Sequence, residues 1–184
     1  MIKRVETEQE LAYFHYIWMT AWREKGYAFE FSEDVLDRYL VIGPDGSFVG
    51  TSEYRGYDPD TSAFASVLGR QETLDLNLDP TIVAEIDKFA ILPEYRGKIV
   101  SELLWSGVLV ARERGIRYFV SLLDPIFHRA LRIAYRAPIT IVGAKTFYKG
   151  DYVLPVVINI SEMAANPANY GIPEPAPSFA TSSV

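Results

Sequence analysis

The chain contains no cysteine, which excludes a disulfide framework, a zinc–thiolate centre and a thiol nucleophile together. Histidine is scarce as well: His15 and His128 are the whole supply, and no metal site is assigned. Basic charge is in deficit. Against 24 acidic side chains stand 18 basic ones, giving a net charge of −6 and a pI near 5.0. That is the reverse of the basic footprint by which proteins hold a phosphate backbone, so nucleic acid is not expected as a ligand. Long apolar runs are missing too. The longest, around residues 103–111, falls short of the roughly 18 to 20 residues a membrane span requires. The opening Met-Ile-Lys-Arg-Val-Glu-Thr-Glu carries no apolar core of a secretory signal, and a cytoplasmic protein is the expectation.

What is present is a core. The 184 residues are 49% hydrophobic and 14% aromatic, enough for one domain that hides roughly 70% of its unfolded surface. Thr7 followed by Glu10 is a capping-box signature, and apolar residues at helical spacing from Leu11 to Trp22 predict a helix over residues 8–25, closed by Gly26. Ser32 is expected to cap a second, shorter helix through Val35, Leu36 and Tyr39. Residues 39–42 and 48–54 read as a hairpin around Gly43-Pro44-Asp45-Gly46. Residues 56–80 show no confident element and read as a partly packed excursion. A strand over 82–92 ends at Pro93, a helix over 97–114 stops at Gly115, and a strand over 116–123 is apolar enough to be buried on both faces. Asp124-Pro125 opens a further helix to about Arg136. Residues 139–147 and 152–160 close the domain as a hairpin. This order builds an α/β fold, a mixed central sheet with helices on both faces. We assign residues 1–163 to that domain. Residues 164–184, rich in Pro, Ala and Ser, read as a loose tail.

The informative segment is Glu85-Ile86-Asp87-Lys88-Phe89-Ala90-Ile91-Leu92-Pro93-Glu94-Tyr95-Arg96-Gly97-Lys98. A strand stops at proline, a turn carries two cations, and a helix starts, so amide N–H groups and the positive helix end converge on one spot. That favours a phosphate-bearing ligand. The segment resembles motif A of the GNAT superfamily of N-acyltransferases, a strand, a Leu-Pro-x-x-Arg-Gly-Lys turn and a helix. The resemblance implies a GNAT-like fold in which the turn's amides bind the donor's pyrophosphate and the strand splays from its neighbour to admit the pantetheine arm. Those functions map onto Phe89, Ala90 and Ile91, and onto Arg96, Gly97, Lys98, Ile99, Val100 and Ser101. The family pattern Arg-Gly-x-Gly-x-Gly/Ala reads Arg96-Gly97-Lys98-Ile99-Val100-Ser101, so two motif glycines are replaced.

Within the superfamily the chain is similar to the autoinducer synthases and N-acyl amino acid synthases. These carry an insertion before the strand and then Glu-x-x-Arg-Phe-Ala-Val, which reads Glu85-Ile86-Asp87-Lys88-Phe89-Ala90-Ile91 here. The resemblance implies an enzyme, an acyltransferase that moves an acyl group from acyl-CoA or an acyl carrier protein to a primary amine of a small molecule. Ordinary acetyl-CoA-dependent acetylation and silent binding of an acyl thioester are the alternatives.

Amide formation needs a proton acceptor for the amine and a proton for the departing thiolate. Glu85 and Asp87, two apart on a strand, share a face and are the candidate bases. Tyr135 is the candidate acid. The superfamily's Asn-x-x-Ala-x-x-x-Tyr places a tyrosine hydroxyl near the donor sulfur, and here His128 stands at the asparagine position with Tyr135 seven residues on. Trp18, Trp22 and Phe29 belong to a first helix with two apolar faces, the second of which is expected to line a substrate pocket. Arg129, Arg132 and Arg136 form a basic edge suited to an acidic acyl carrier protein.

Overall fold

The computed structural model describes residues 1–174. Its elements are β1 (Ile2–Arg4), α1 (Glu8–Lys25), β2 (Val35–Ile42), β3 (Phe48–Gly56), α2 (Ala63–Leu68), α3 (Arg70–Asp75), β4 (Val83–Ile91), α4 (Val100–Arg114), β5 (Tyr118–Leu123), α5 (Pro125–Ala134), β6 (Ile139–Ile141), β7 (Thr146–Tyr148), β8 (Asp151–Ile158) and α6 (Ile160–Ala165). The strands form one mixed sheet in the order β1-β2-β3-β4-β5-β8-β6, with β7 turned back onto β8. β4 and β5 pair in parallel, whereas the other neighbours are antiparallel.

Local chemistry sets most of these boundaries. The Thr7 hydroxyl accepts the Glu10 N–H at 3.2 Å while the Glu10 carboxylate accepts the Thr7 N–H at 3.2 Å, so the expected capping box is closed. Gly26, at φ 78°, ends α1 in a left-handed conformation that other residues rarely adopt. Side chains alternate between the two sheet faces. Tyr39 and Tyr54 pack with α4 on one face, and Leu40 and Ala90 pack with Phe14 and Trp18 of α1 on the other.

Two expectations are corrected. The helix predicted after Ser32 is strand β2, because Val35-Leu-Asp-Arg-Tyr-Leu-Val-Ile is buried on both faces and its apolar spacing therefore satisfies either period. The folded chain also continues past residue 163. Met163 and Ile172 are buried with α4, and a short turn at Pro167–Tyr170 joins them. The last residues of the expected tail, 175–184, lie outside the described residues. The excursion at 56–80 folds into α2 and α3. Phe64 and Leu68 pack it onto Val83 and Val120, on the same face of the sheet as α1.

β4 carries the irregularity that matters. Between the pairs Thr51 with Ala90 and Glu53 with Asp87, β4 advances one residue more than β3. The extra residue is a β-bulge, and Lys88 within it takes φ 49°. On its other side β4 pairs with β5 through Val83, Ala84 and Glu85. One more link, from the Ser121 hydroxyl to the Ile86 carbonyl at 3.1 Å, ends the contact. Beyond it β4 stays with β3 while β5 stays with β8, and the two parallel strands part.

Candidate active site

At the mouth of the parted strands the chain turns into α4. The Leu92 N–H donates to Val49 O at 2.9 Å, the Tyr95 N–H to Leu92 O at 3.0 Å and the Lys98 N–H to Tyr95 O at 3.0 Å, while Gly97 sits at φ 76°. The first bond inside the helix runs from the Leu103 N–H to Ile99 O at 3.4 Å. The amides of Val100, Ser101 and Glu102 precede it and receive no bond from the N-cap side chain; the Ser101 N–H meets the Tyr135 hydroxyl, and those of Val100 and Glu102 stand at the positive helix end. Ile99, which replaces a motif glycine, does not block this notch. It is 3% exposed and packs inward on Val41, Val49 and Leu103. Gly50 makes room for it: a Cβ there would lie 3.0 Å from Ile99 Cδ1. The two cations expected at the turn are partly engaged, Arg96 by both carboxylate oxygens of Glu24 at 2.9 and 2.5 Å, and Lys98 by the Glu94 carbonyl at 3.2 Å.

Tyr135 closes α5 and lies against the first turn of α4. Burial raises its hydroxyl pKa, the Glu102 charge raises it further, and the Ser101 N–H opposes both. Phe89, on the parted edge of β4, meets Phe127 of α5 with ring centroids 5.9 Å apart. Behind them, on the α4 face, is an apolar cavity of about 20 Å³ touched by Tyr54, Ile86, Phe89, Leu104, Phe119 and Leu131.

On the opposite face a charged band lies between the α1 cluster and the α2 cluster. Glu85, 4% exposed, accepts the Phe64 N–H from the start of α2 at 3.0 Å. Its burial pushes its pKa up. The Asp87 charge adds to the rise, while the Phe64 N–H, the Ser62 hydroxyl and Arg55 resist it. Asp87 accepts the Lys88 N–H at 2.7 Å and a bond from the Lys88 Nζ at 3.0 Å. The Lys88 ammonium is fully buried and has three partners, Asp87, Glu53 at 2.6 Å and Ser32 at 2.6 Å. Arg38 completes the group by donating to Glu53 at 2.6 Å. Tyr148, at the end of β7, has its hydroxyl pKa raised by burial and by the charges of Asp87 and Glu85, with the Ser66 hydroxyl opposing.

The structure thus brings Glu85 and Asp87 together, and separately brings Tyr135 to the start of α4. Trp18, Trp22 and Phe29 interlock edge to face, with centroids 5.0 Å (Trp18–Trp22) and 5.6 Å (Trp18–Phe29) apart. Trp18 is wholly buried with its ring 5.5 Å from the Lys88 ammonium, so it supports the site from behind, and Phe29, 39% exposed, is the most open of the three. Arg129, Arg132 and Arg136 are exposed, and the last two line a surface cleft with Pro138, Asn159 and Glu162. Sequence reasoning missed Arg38, Glu53, Arg55, Tyr57 and Tyr148. The available signal was polar alternation in Ser52-Glu53-Tyr54-Arg55, which sets Glu53 and Arg55 on one face of a strand beside the motif strand.

A sheet opened between two parallel strands, with the start of a helix at its mouth, is the frame of an acyltransferase. The family model described as Acetyltransferase (GNAT) family matches residues 4–134, and the chain belongs to that family. No curated protein matches the sequence. Among solved structures the chain is similar to FeeM, an N-acyl amino acid synthase from uncultured soil microbes, with a TM-score of 0.70 and 15% identity over 88% of this chain and 91% of that one. It is similar also to BjaI, a CoA-dependent acyl-homoserine lactone synthase solved with SAM and isopentyl-CoA, with a TM-score of 0.66 and 12% identity over 95% and 90%. The AHL synthase LasI gives 0.61 and 15% over 91% and 93%. At such identities the likeness is one of fold. No helix among the described residues is long and apolar enough to cross a membrane.

Proposed function

We propose that the protein transfers an acyl group from a pantetheine thioester, acyl-CoA or an acyl carrier protein, to the primary amine of a small molecule. The observation that carries this reading is the parting of β4 and β5 one residue beyond Glu85, with the first turn of α4, uncapped by its N-cap side chain, at its mouth. In this reading the segment from Arg96 to Ser101 holds the donor's phosphates, and Phe89, Ala90 and Ile91 flank its pantetheine arm. The amine nitrogen attacks the thioester carbonyl, so a C–N bond forms as the C–S bond breaks. Glu85 takes the amine proton, directly or through water, and the departing sulfur takes a proton from the Tyr135 hydroxyl. Asp87, bonded to Lys88, adds to the rise in the Glu85 pKa that suits it as a base. Phe29 and Trp22 flank the acceptor's approach, with Trp18 behind them.

The test is release of free thiol from a panel of acyl-CoAs and acyl carrier proteins offered with small amines. Glu85→Gln is expected to lower turnover about a hundredfold or more; full activity in that variant removes Glu85 from the mechanism. Within this reading a short acyl chain is favoured by one observation. The cavity behind the parted strands, about 20 Å³, has room for about one water molecule. A chain-length series on the native protein and on Leu104→Ala, which widens that cavity, decides between acetyl and longer donors.

A further inference from the structure

Glu85 is buried, and so are Lys88 and Glu53 in the same band, yet an acceptor amine has to reach this face of the sheet. Neither the apolar cavity nor the surface cleft borders these side chains. What covers them is two segments that meet at one residue. The first is a strap, residues 27–34, which joins the end of α1 to β2 and is neither helix nor strand. Its Ser32 accepts the Lys88 ammonium at 2.6 Å through its hydroxyl and Arg38 at 3.2 Å through its carbonyl, and Phe31 lies on His15 and Trp18 with ring centroids 5.2 and 5.4 Å away. The second is the turn from β7 into β8, entered at Tyr148, whose hydroxyl stands beside Asp87, Glu85 and Ser66.

The two segments are joined at Lys149. The Ala28 N–H donates to Lys149 O at 2.8 Å, and the Lys149 ammonium pairs with Glu30. Beside this seam the tip of the turn rests on the end of α1, so closely that a Cβ at Gly150 would overlap the Gly26 carbonyl oxygen. Little burial holds either segment down. Phe31 and Phe147 are 58% and 62% exposed, the Glu30 carboxylate is open to water, and β7 is three residues long and pairs with β8 alone. Segments with so few buried apolar contacts open at a small fraction of the cost of unfolding the whole molecule, and an exposed ion pair adds little to their closure. Lys88 keeps Glu53 and Asp87 as partners when Ser32 leaves it, so lifting the strap strands no buried charge.

Resting on the acyl-transfer reading of Glu85, we propose that residues 27–34 and the β7–β8 turn form a gate over the base, latched at Lys149, and that the acceptor amine enters when strap and turn part. Closed again, the same segments keep bulk water from Glu85 while it receives the proton. The donor does not pass the gate, because α4 lies on the other face of the sheet from α1.

The chain has no cysteine, so a disulfide placed across the seam is the only one in the molecule. Ala28→Cys with Lys149→Cys supplies it, since the hydrogen bond between these two backbones sets them within disulfide reach. The readout is the mass of N-acylated product formed from a panel of small amines with acetyl-CoA and octanoyl-CoA, taken at initial rate. Oxidation of the pair is expected to lower turnover about tenfold or more, and a phosphine reductant to restore it. Desulfo-CoA, which carries the phosphates without the thiol, is expected to raise the melting temperature of both forms equally. Equal turnover in the oxidised and reduced forms overturns the proposal. Gly150→Ala tests the seam from the other direction, by wedging the turn off the end of α1. Hydrogen exchange at the Ala28 amide is expected to quicken about tenfold in this variant with the amides of β4 unchanged, and no change at Ala28 ends the gate. If the native protein acylates no amine, the acyl-transfer reading fails, and the gate stands or falls by that exchange alone.

Discussion

Burial raises the proton affinity of Glu85, and the neighbouring Asp87 charge adds to the rise. In the unfolded chain the carboxyl titrates near its ordinary value of 4.5. The native state holds the proton to higher pH, so below about 4.5 both states are protonated and the group costs no stability. As pH climbs through 4.5 toward the raised native value the unfolded state ionises first, and stability falls by an amount that is complete above the native pKa. Glu85→Gln keeps the acceptor for the Phe64 N–H and removes the charge. Urea melts are therefore expected to show the variant more stable than the native protein at pH 7, by on the order of 1 kcal/mol, with the difference vanishing below pH 4.5. Lys88 makes the opposite case. Its side chain is fully buried between Glu53, Asp87 and Ser32, and Lys88→Met leaves Glu53 and Asp87 without their ammonium. A loss of about 3 kcal/mol or more is expected in the same melts, partly recovered in Lys88→Met with Glu53→Gln.

At the scale of elements, the start of α4 shows how a replaced glycine is accommodated. Ile99 turns into the core over Gly50, whose hydrogen leaves the space that the Ile99 Cδ1 fills. Restoring the motif residue by Ile99→Gly is therefore expected to destabilise the fold by about 3 kcal/mol or more. Gly50→Ala is expected to be costly against Ile99 and milder against Ile99→Val, a coupling of about 1 kcal/mol in a double-mutant cycle. The same elements show what a sequence reveals. α1 was legible because its caps are local chemistry, Thr7, Glu10 and Gly26. The end of β4 was legible because Pro93 cannot extend a ladder. β2 was misread because a strand buried on both faces has no polar phase to distinguish period two from period 3.6. The bulge at Lys88 left no mark, since lysine has no preference for φ 49° and takes it here through buried ion pairs supplied by β3 and the loop at Ser32. Glu85 and Asp87 could be named from their spacing. That Arg55 faces Glu85 depended on strand register and on α2 turning the carboxylate away, and both are tertiary facts.

Across the whole molecule, charge of opposite sign is sorted onto different surfaces. The chain as a whole carries −6, yet α5 and the residue after it expose Arg129, Arg132 and Arg136 beside the exposed Ile126 and Ile133. α5 begins where β5 leaves the parted strands, so this basic and apolar edge lies next to the mouth through which a tethered thioester would enter. A donor carried on an acidic protein must bring a protein surface to that mouth, whereas acyl-CoA need bring none. If an acyl carrier protein is the donor, Arg129→Ala with Arg132→Ala and Arg136→Ala should lower kcat/KM for it at least tenfold at low salt, with the deficit shrinking as ionic strength rises. The same variant should lose far less with the matched acyl-CoA. Equal losses with both donors would mean that the arginines support the fold or the phosphate site. No loss with either would leave the stripe as a solvated helix face, and acyl-CoA as the donor that the surface of this molecule is built to admit.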